Sequence, residues 1–263
     1  MRFALGVEYD GSAFHGWQKQ PGAPTVQDVL EAALQRIAGA PVKVVCAGRT
    51  DAGVHATGQV VHFDTLVERP LSAWVRGVNT FLPLTVSVRW ARPVGDDFHA
   101  RFSAYGRCYR YLLLNQLQRT GVWHGRAGWY HHPLEVGRMQ QAAALLLGEH
   151  DFSAFRAADC QAKSPLKTMR YACVRRCGEM IVFDFEAGAF LQHMVRNLVG
   201  SLVYIGQGKH PPEWMAKLLA AGDRRLAAPT FSAAGLYLVG VKYESQWRLP
   251  VSEDSFFSGA LGF

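Results

Sequence analysis

Ala47-Gly48-Arg49-Thr50-Asp51-Ala52-Gly53-Val54-His55 stands between two strand-like runs, Val42-Lys43-Val44-Val45 before it and Gln59-Val60-Val61-His62-Phe63 after it. Apolar, β-branched runs on either side of a glycine-framed segment predict strand, loop, strand. Gly48 and Gly53 let backbone approach a bulky ligand closely, and an acid at such a tip can face a cleft. In an extended loop, residues at i and i+2 project the same way, so Arg49 and Asp51 are expected to serve one site. Arg49 would hold the carboxylate ionised while its own fork meets phosphate or base. The plainer reading of the same residues is a turn in which Asp51 only caps backbone amides.

Outward from this loop the period of the apolar residues sets the elements. Phe3, Leu5, Val7 and Tyr9 alternate as a half-buried strand. Thr25 caps a helix with Val26, Val29, Leu30, Ala33, Leu34 and Ile37 on one face, closed by Gly39. Strands are predicted near 42–47 and 59–64, then a helix through Leu71, Trp74, Val75, Val78 and Phe81, then a strand through Val86, Val88 and Trp90. The pattern returns with a strand over Tyr109–Leu114, a helix through Val136, Met139, Ala143 and Leu146, and strands over Met169–Arg175 and Met180–Glu186. A long helix over Phe190–Ile205, a shorter one near Glu213–Leu219 and a last strand over Gly235–Val241 complete it. Each half reads strand-helix-strand-strand-helix-strand, the split ferredoxin-like order. The predicted fold is α+β: two ferredoxin-like (split βαβ) halves whose mainly antiparallel sheets are joined edge to edge or flank a central cleft. The halves would be an N-terminal domain 1–100 carrying the aspartate loop and a C-terminal domain 101–245. A tail over 246–263 bears Phe256, Phe257 and Phe263. The halves share no residue-level self-similarity.

With 263 residues, 49% apolar and 19% charged, the composition is that of an ordinary globular protein. No apolar run approaches the roughly 20 residues of a spanning helix, and Met1-Arg2-Phe3 enters the first strand directly, so neither membrane span nor leader is expected. Cys46, Cys108, Cys160, Cys173 and Cys177 are an odd, scattered set, unlike a disulfide framework, which points to a reduced cytoplasmic setting. The net charge is +7, and most of the 28 basic residues are arginine, which suits phosphate contacts with RNA or DNA.

A series of short motifs runs in one order along the chain. It comprises Tyr9-Asp10-Gly11, Gly16-Trp17-Gln18, Thr25-Val26-Gln27, the segment Gly48 to His55, and Gln59-Val60-Val61-His62-Phe63-Asp64. Asn79-Thr80-Phe81-Leu82-Pro83, Phe98-His99-Ala100-Arg101, Tyr109-Arg110-Tyr111, His150-Asp151-Phe152 and Met194-Val195-Arg196-Asn197 continue it. Together these resemble the tRNA pseudouridine synthases of the TruA family, which act on the anticodon stem-loop. The resemblance extends to Tyr243 and implies the pseudouridine synthase fold. It also implies isomerisation of uridine at tRNA positions 38, 39 and 40, a homodimer with tRNA crossing both subunits, and no metal or organic cofactor. Residue by residue, it makes Asp51 the catalytic aspartate and Tyr109 the aromatic that lies against the target base and would assist its deprotonation. Arg196 would pair with the aspartate, Leu236 would pack on the uracil, and Arg49 would stabilise the flipped-out nucleotide. Phe14 departs from the usual Tyr, and Ala228-Pro229-Thr230-Phe231-Ser232 replaces a typical Gly-Pro-Thr-Ala-Pro ahead of Leu236.

The chemistry suits so few charged groups. Pseudouridine forms when the base nitrogen–ribose bond breaks, the uracil turns, and carbon 5 takes its place. A glycoside hydrolase usually needs a second carboxylate to protonate a leaving group or activate water. Here one ionised carboxylate suffices if the detached base stays trapped, and a base must finally remove the carbon 5 proton. Flipping the nucleotide costs a few kcal/mol, and stacking on an aromatic returns about 1–3 kcal/mol. Without the resemblance, Tyr109 and Leu236 are core residues. Arg196, in an otherwise apolar helix, either faces solvent or needs a partner such as Asp51.

Other readings have weaker support. His131-His132 with His150-Asp151 fits no common zinc spacing, and Cys173 and Cys177 lack a second pair. Gly206-Gln207-Gly208-Lys209 lacks the glycines of a phosphate loop and reads as a helix end and turn. A non-catalytic RNA-binding protein or tRNA chaperone would share the charge and the aromatics, yet gives no reason for an acid at the loop tip.

Overall fold

The computed structural model describes residues 1–250, so Phe256, Phe257 and Phe263 of the tail lie outside the described residues. The chain is mixed α+β and divides into two compact units: Met1–Tyr105 with the chain from Tyr237 on, and Gly106–Leu236.

The first unit begins with β1 (Arg2–Tyr9) and α1 (Val26–Ala38). Thr25 caps α1 by accepting the Asp28 amide, and Gly39 ends it at φ 70°. Val26, Leu30, Ala33 and Leu34 form the buried stripe. β2 is only Val45–Cys46, shorter than predicted, while β3 (His55–Asp64) starts four residues ahead of the predicted strand. Gly58 belongs inside β3 because a Cβ there would collide with the Val239 carbonyl. A helical stretch over 71–79 follows, π-helical across Ala73–Gly77, and leaves Phe81 beyond its end, exposed beneath the Arg36 guanidinium. β4 (Val86–Val94) completes the run.

β1 pairs antiparallel with both β3 and β4, setting Leu5 opposite Val61 on one side and Ala91 on the other. Its alternation predicts one wet face, yet both faces are buried. Phe3, Phe63 and Trp74 fill one, with ring centroids 5.1–5.8 Å apart. On the other, the small Ala4 packs with Phe98 and Ala100, and Gly6 leaves room for the Trp90 indole. Small residues there mark close cover, which alternation alone reads as exposure.

The second unit carries β5 (Ala104–Asn115), β6 (Gly128–Tyr130), α2 (Val136–Ala144), β7 (Gly148–Asp151), β8 (Leu166–Cys177) and β9 (Met180–Ala187). The antiparallel order is β5-β9-β8-β7, with Tyr109 opposite Phe185 and Tyr111 opposite Phe183. α3 (Met194–Gly206) starts four residues later than predicted. His193 at φ 61° interrupts the helix, and Phe190 instead packs edge-on against Tyr109, centroids 5.0 Å apart. α4 (Trp214–Ala221) follows.

β10 (Leu236–Tyr243) runs parallel to β3, with Tyr237 opposite His55. Its pairing puts the chain from Tyr237 on with the first unit, so the units are not two consecutive halves. A parallel neighbour needs a long crossover, and here the whole second unit supplies it.

Candidate active site

The loop between β2 and β3 is fixed from beneath. The Ala47 amide bonds the Val60 carbonyl (2.8 Å), extending the ladder by one residue. Gln59, fully buried, then grips Gly48 from both sides: its Nε2 donates to the Gly48 carbonyl (2.6 Å) and its Oε1 accepts the Gly48 amide (3.4 Å). A buried amide side chain must satisfy its polar atoms, and here backbone does so. Thr50 turns inward, sharing a hydrogen bond with the Tyr9 hydroxyl (2.8 Å), while its carbonyl accepts the Trp17 amide (3.0 Å).

Asp51 opens a tight turn. The Val54 amide bonds the Asp51 carbonyl (3.1 Å), and Gly53 takes φ 76°, which a residue with a side chain adopts only under strain. The Gly53 amide donates to the Phe14 carbonyl (3.3 Å), so Phe14 holds the loop through its backbone, and its buried ring carries no hydroxyl. Gly11 and Gly16 back the loop so closely that a Cβ at either would strike Val54 or Thr50. The result is a half-buried Asp51 carboxylate on a loop that packing and hydrogen bonds leave little freedom. Tyr9, Gly11, Gly16, Trp17 and Gln59 stand in the sequence motifs with no task assigned; buttressing this loop is that task.

Arg49 is exposed and forms no ion pair among the described residues.

In the second unit, Tyr109 stands in the middle of β5, 9% exposed, its ring edge held by Phe190. Arg196 lies half-buried in the first turn of α3, and its Nε donates to the Phe231 carbonyl (2.8 Å). The Phe231 amide donates back to the Arg196 carbonyl (3.2 Å), a reciprocal pair that seats the 228–232 segment on the helix. Leu236, 5% exposed, opens β10 just beyond it. Arg49 and Asp51 thus belong to the first unit, and Tyr109, Arg196 and Leu236 to the second. Among the described residues no three His, Cys, Asp or Glu side chains converge to hold a metal, and no helix is long and apolar enough to cross a membrane.

Comparison with known proteins identifies the family. A family model described as tRNA pseudouridine synthase matches residues 6–103 and 142–244. The tRNA pseudouridine synthase A of Dechloromonas aromatica is 67% identical over 261 residues, 99% of this chain and 100% of that protein. Its counterpart in Methylobacillus flagellatus is 59% identical over 253 residues, 96% of this chain and 97% of that one. Among solved structures, a chain from the crystal structure of a Cbf5–Nop10–Gar1 complex aligns over 98% of this chain and 56% of its own length. Its TM-score is 0.39 at 15% identity, too low to build on. The matched segments contain the Asp51 loop with its buttress and also Arg196 and Leu236, and the chain belongs to the tRNA pseudouridine synthase family.

Proposed function

We propose that the protein isomerises uridine to pseudouridine in the anticodon stem-loop of tRNA, at positions 38, 39 and 40. The observation that carries this reading is the Asp51 carboxylate, half-buried on a turn braced by Gln59, Tyr9, Trp17 and Gly53. Preorganisation of this kind is what a single catalytic group requires, since small misplacements cost large factors in rate. The target nucleotide leaves its stack and its base lies against Tyr109, with Leu236 on the uracil. Arg49 engages the nucleotide on the solvent side, consistent with its exposed guanidinium. Arg196 pairs electrostatically with the aspartate.

The bond from uracil nitrogen 1 to ribose carbon 1′ breaks, and carbon 1′ rejoins carbon 5. Carbon 5 loses a proton and nitrogen 1 ends with one, so water and redox equivalents are neither consumed nor released. Ionised Asp51 serves whether it engages the ribose or the ring, and the scheme uses no metal or organic cofactor. A cytoplasmic homodimer with tRNA crossing both subunits completes the proposal, in keeping with the positive net charge.

The test is incubation of the protein with an unmodified tRNA transcript, with pseudouridine mapped by position. Conversion confined to 38–40 supports the reading. Tight tRNA binding with uridine left unchanged would make the protein a non-catalytic RNA-binding protein instead.

A further inference from the structure

Asn197 follows Arg196 in α3 and is completely buried. Its Nδ2 donates to the Phe155 carbonyl (2.8 Å). Its Oδ1 accepts from the Thr230 hydroxyl (2.7 Å) and from Arg224 Nη2 (3.1 Å). Arg224 in turn donates through Nη1 to the Ala228 and Ala227 carbonyls (2.9 and 3.3 Å) and through Nη2 to Thr230 Oγ1 (3.2 Å). One turn along α3, Ser201 donates to the Asn197 carbonyl (3.0 Å) and accepts the Ala228 amide (3.4 Å). Gly200 lies so near the Pro229 carbonyl that no Cβ fits between them.

The segment 227–231 is therefore bound to the first turns of α3 by side chains, not by a sheet or helix ladder. The far end of that segment is Phe231, whose carbonyl holds Arg196 Nε and whose amide meets the Arg196 carbonyl. Arg224 bears a cost in this role, because burial pulls its guanidinium below the ordinary value. We infer that Thr230 and Arg224, closing on the buried Asn197, form a polar clamp that positions the Arg196 guanidinium, and through Phe231 the approach to Leu236, for the isomerisation. They are positioning residues: none needs to touch the nucleotide. A network with every member satisfied rigidifies what it joins, and removal of one hydroxyl leaves Asn197 Oδ1 one donor short.

This inference rests on the proposed activity, and the experiment separates the two. Thr230→Val keeps shape and removes the donor, Thr230→Ser restores it, and Arg224→Lys keeps charge but loses the fork. Turnover is measured on unmodified tRNA transcript, with thermal unfolding of each variant alongside. Thr230→Val and Arg224→Lys are expected to lower kcat on the order of ten- to a hundredfold. KM for tRNA should stay within about twofold of wild type, as for groups that act only on the geometry of the transition state. Thr230→Ser should recover most of the rate. Wild-type kcat in folded Thr230→Val, or a loss that appears wholly in KM, would overturn the clamp. Wild-type protein that forms no pseudouridine would instead overturn the proposed activity.

Discussion

A Cβ added to Gly16 would lie 2.6 Å from the carbonyl oxygen of Thr50, the residue preceding Asp51. Gly16 also sits at φ 88°, so an alanine there is strained as well as crowded. The three nearest atoms, from Thr50, Asp51 and Ala52, are all backbone, and none can swing away. Gly16→Ala should therefore shift the aspartate loop and lower kcat on the order of a hundredfold. It should cost about 1–3 kcal/mol of stability besides. Paired measurement of turnover and chemical unfolding checks this; wild-type kcat would show that the loop tolerates displacement.

Tyr109 separates stacking from proton transfer. Tyr109→Phe keeps the ring that Phe190 supports edge-on, whereas Tyr109→Ala also empties a buried site. If stacking is the main task, the phenylalanine variant retains most of the rate, and the alanine variant loses about 1–3 kcal/mol of base stacking. Equal losses in kcat for the two, with both proteins folded, would assign the task to the hydroxyl.

Arg49 is exposed, and the protein carries a charge of +7, so tRNA affinity should fall steeply with salt. If Arg49 meets a phosphate, Arg49→Ala should reduce the slope of log affinity against log salt by about one. An unchanged slope would move Arg49 away from the backbone and toward the base.

His62 gives an acid-sensitive lock in the first unit. It is 4% exposed, and its Nδ1 accepts the Ala100 amide (3.0 Å), tying β3 to the Phe98–Arg101 motif. Burial, then the positive charges of His99 and Arg2, pull it from 6.5 to about 4, against a smaller opposing effect of Asp64. An unfolded histidine takes up its proton near 6.5, while folded His62 stays neutral until about 4. Its contribution is thus complete above 6.5, is lost as pH falls through that window, and is bounded by about 3 kcal/mol. Unfolding free energies between pH 7 and 4 should show a shallower decline for His62→Asn than for wild type. Parallel declines would exclude His62 as a source of the acid sensitivity.

Much of the first unit was legible because local rules agree there. Thr25 and Gly39 cap α1, and its apolar stripe turns inward. The aspartate loop was legible too, since glycines and flanking strands leave few alternatives. What escaped were features set by contacts distant in sequence. The predicted strand starts only at Gln59, since nothing local places Gly58 in it until Val239 is seen beside it, and Phe190 reads as helix until it is found covering Tyr109. Gln59 shows no sign, in a polar-looking position, that its side chain grips Gly48. Nor does the sequence show that Thr50, between Arg49 and Asp51, is held by a hydrogen bond to Tyr9, 41 residues away.

The central claim is that one carboxylate, that of Asp51, performs the isomerisation. Asp51→Asn keeps size and hydrogen-bonding capacity and removes the charge. With wild type and variant assayed side by side on unmodified tRNA, affinity is expected to stay within about threefold, because the charge lost is not a phosphate contact. Pseudouridine formation is expected to fall below detection. Pseudouridine formed by the asparagine variant at the wild-type rate would contradict the account.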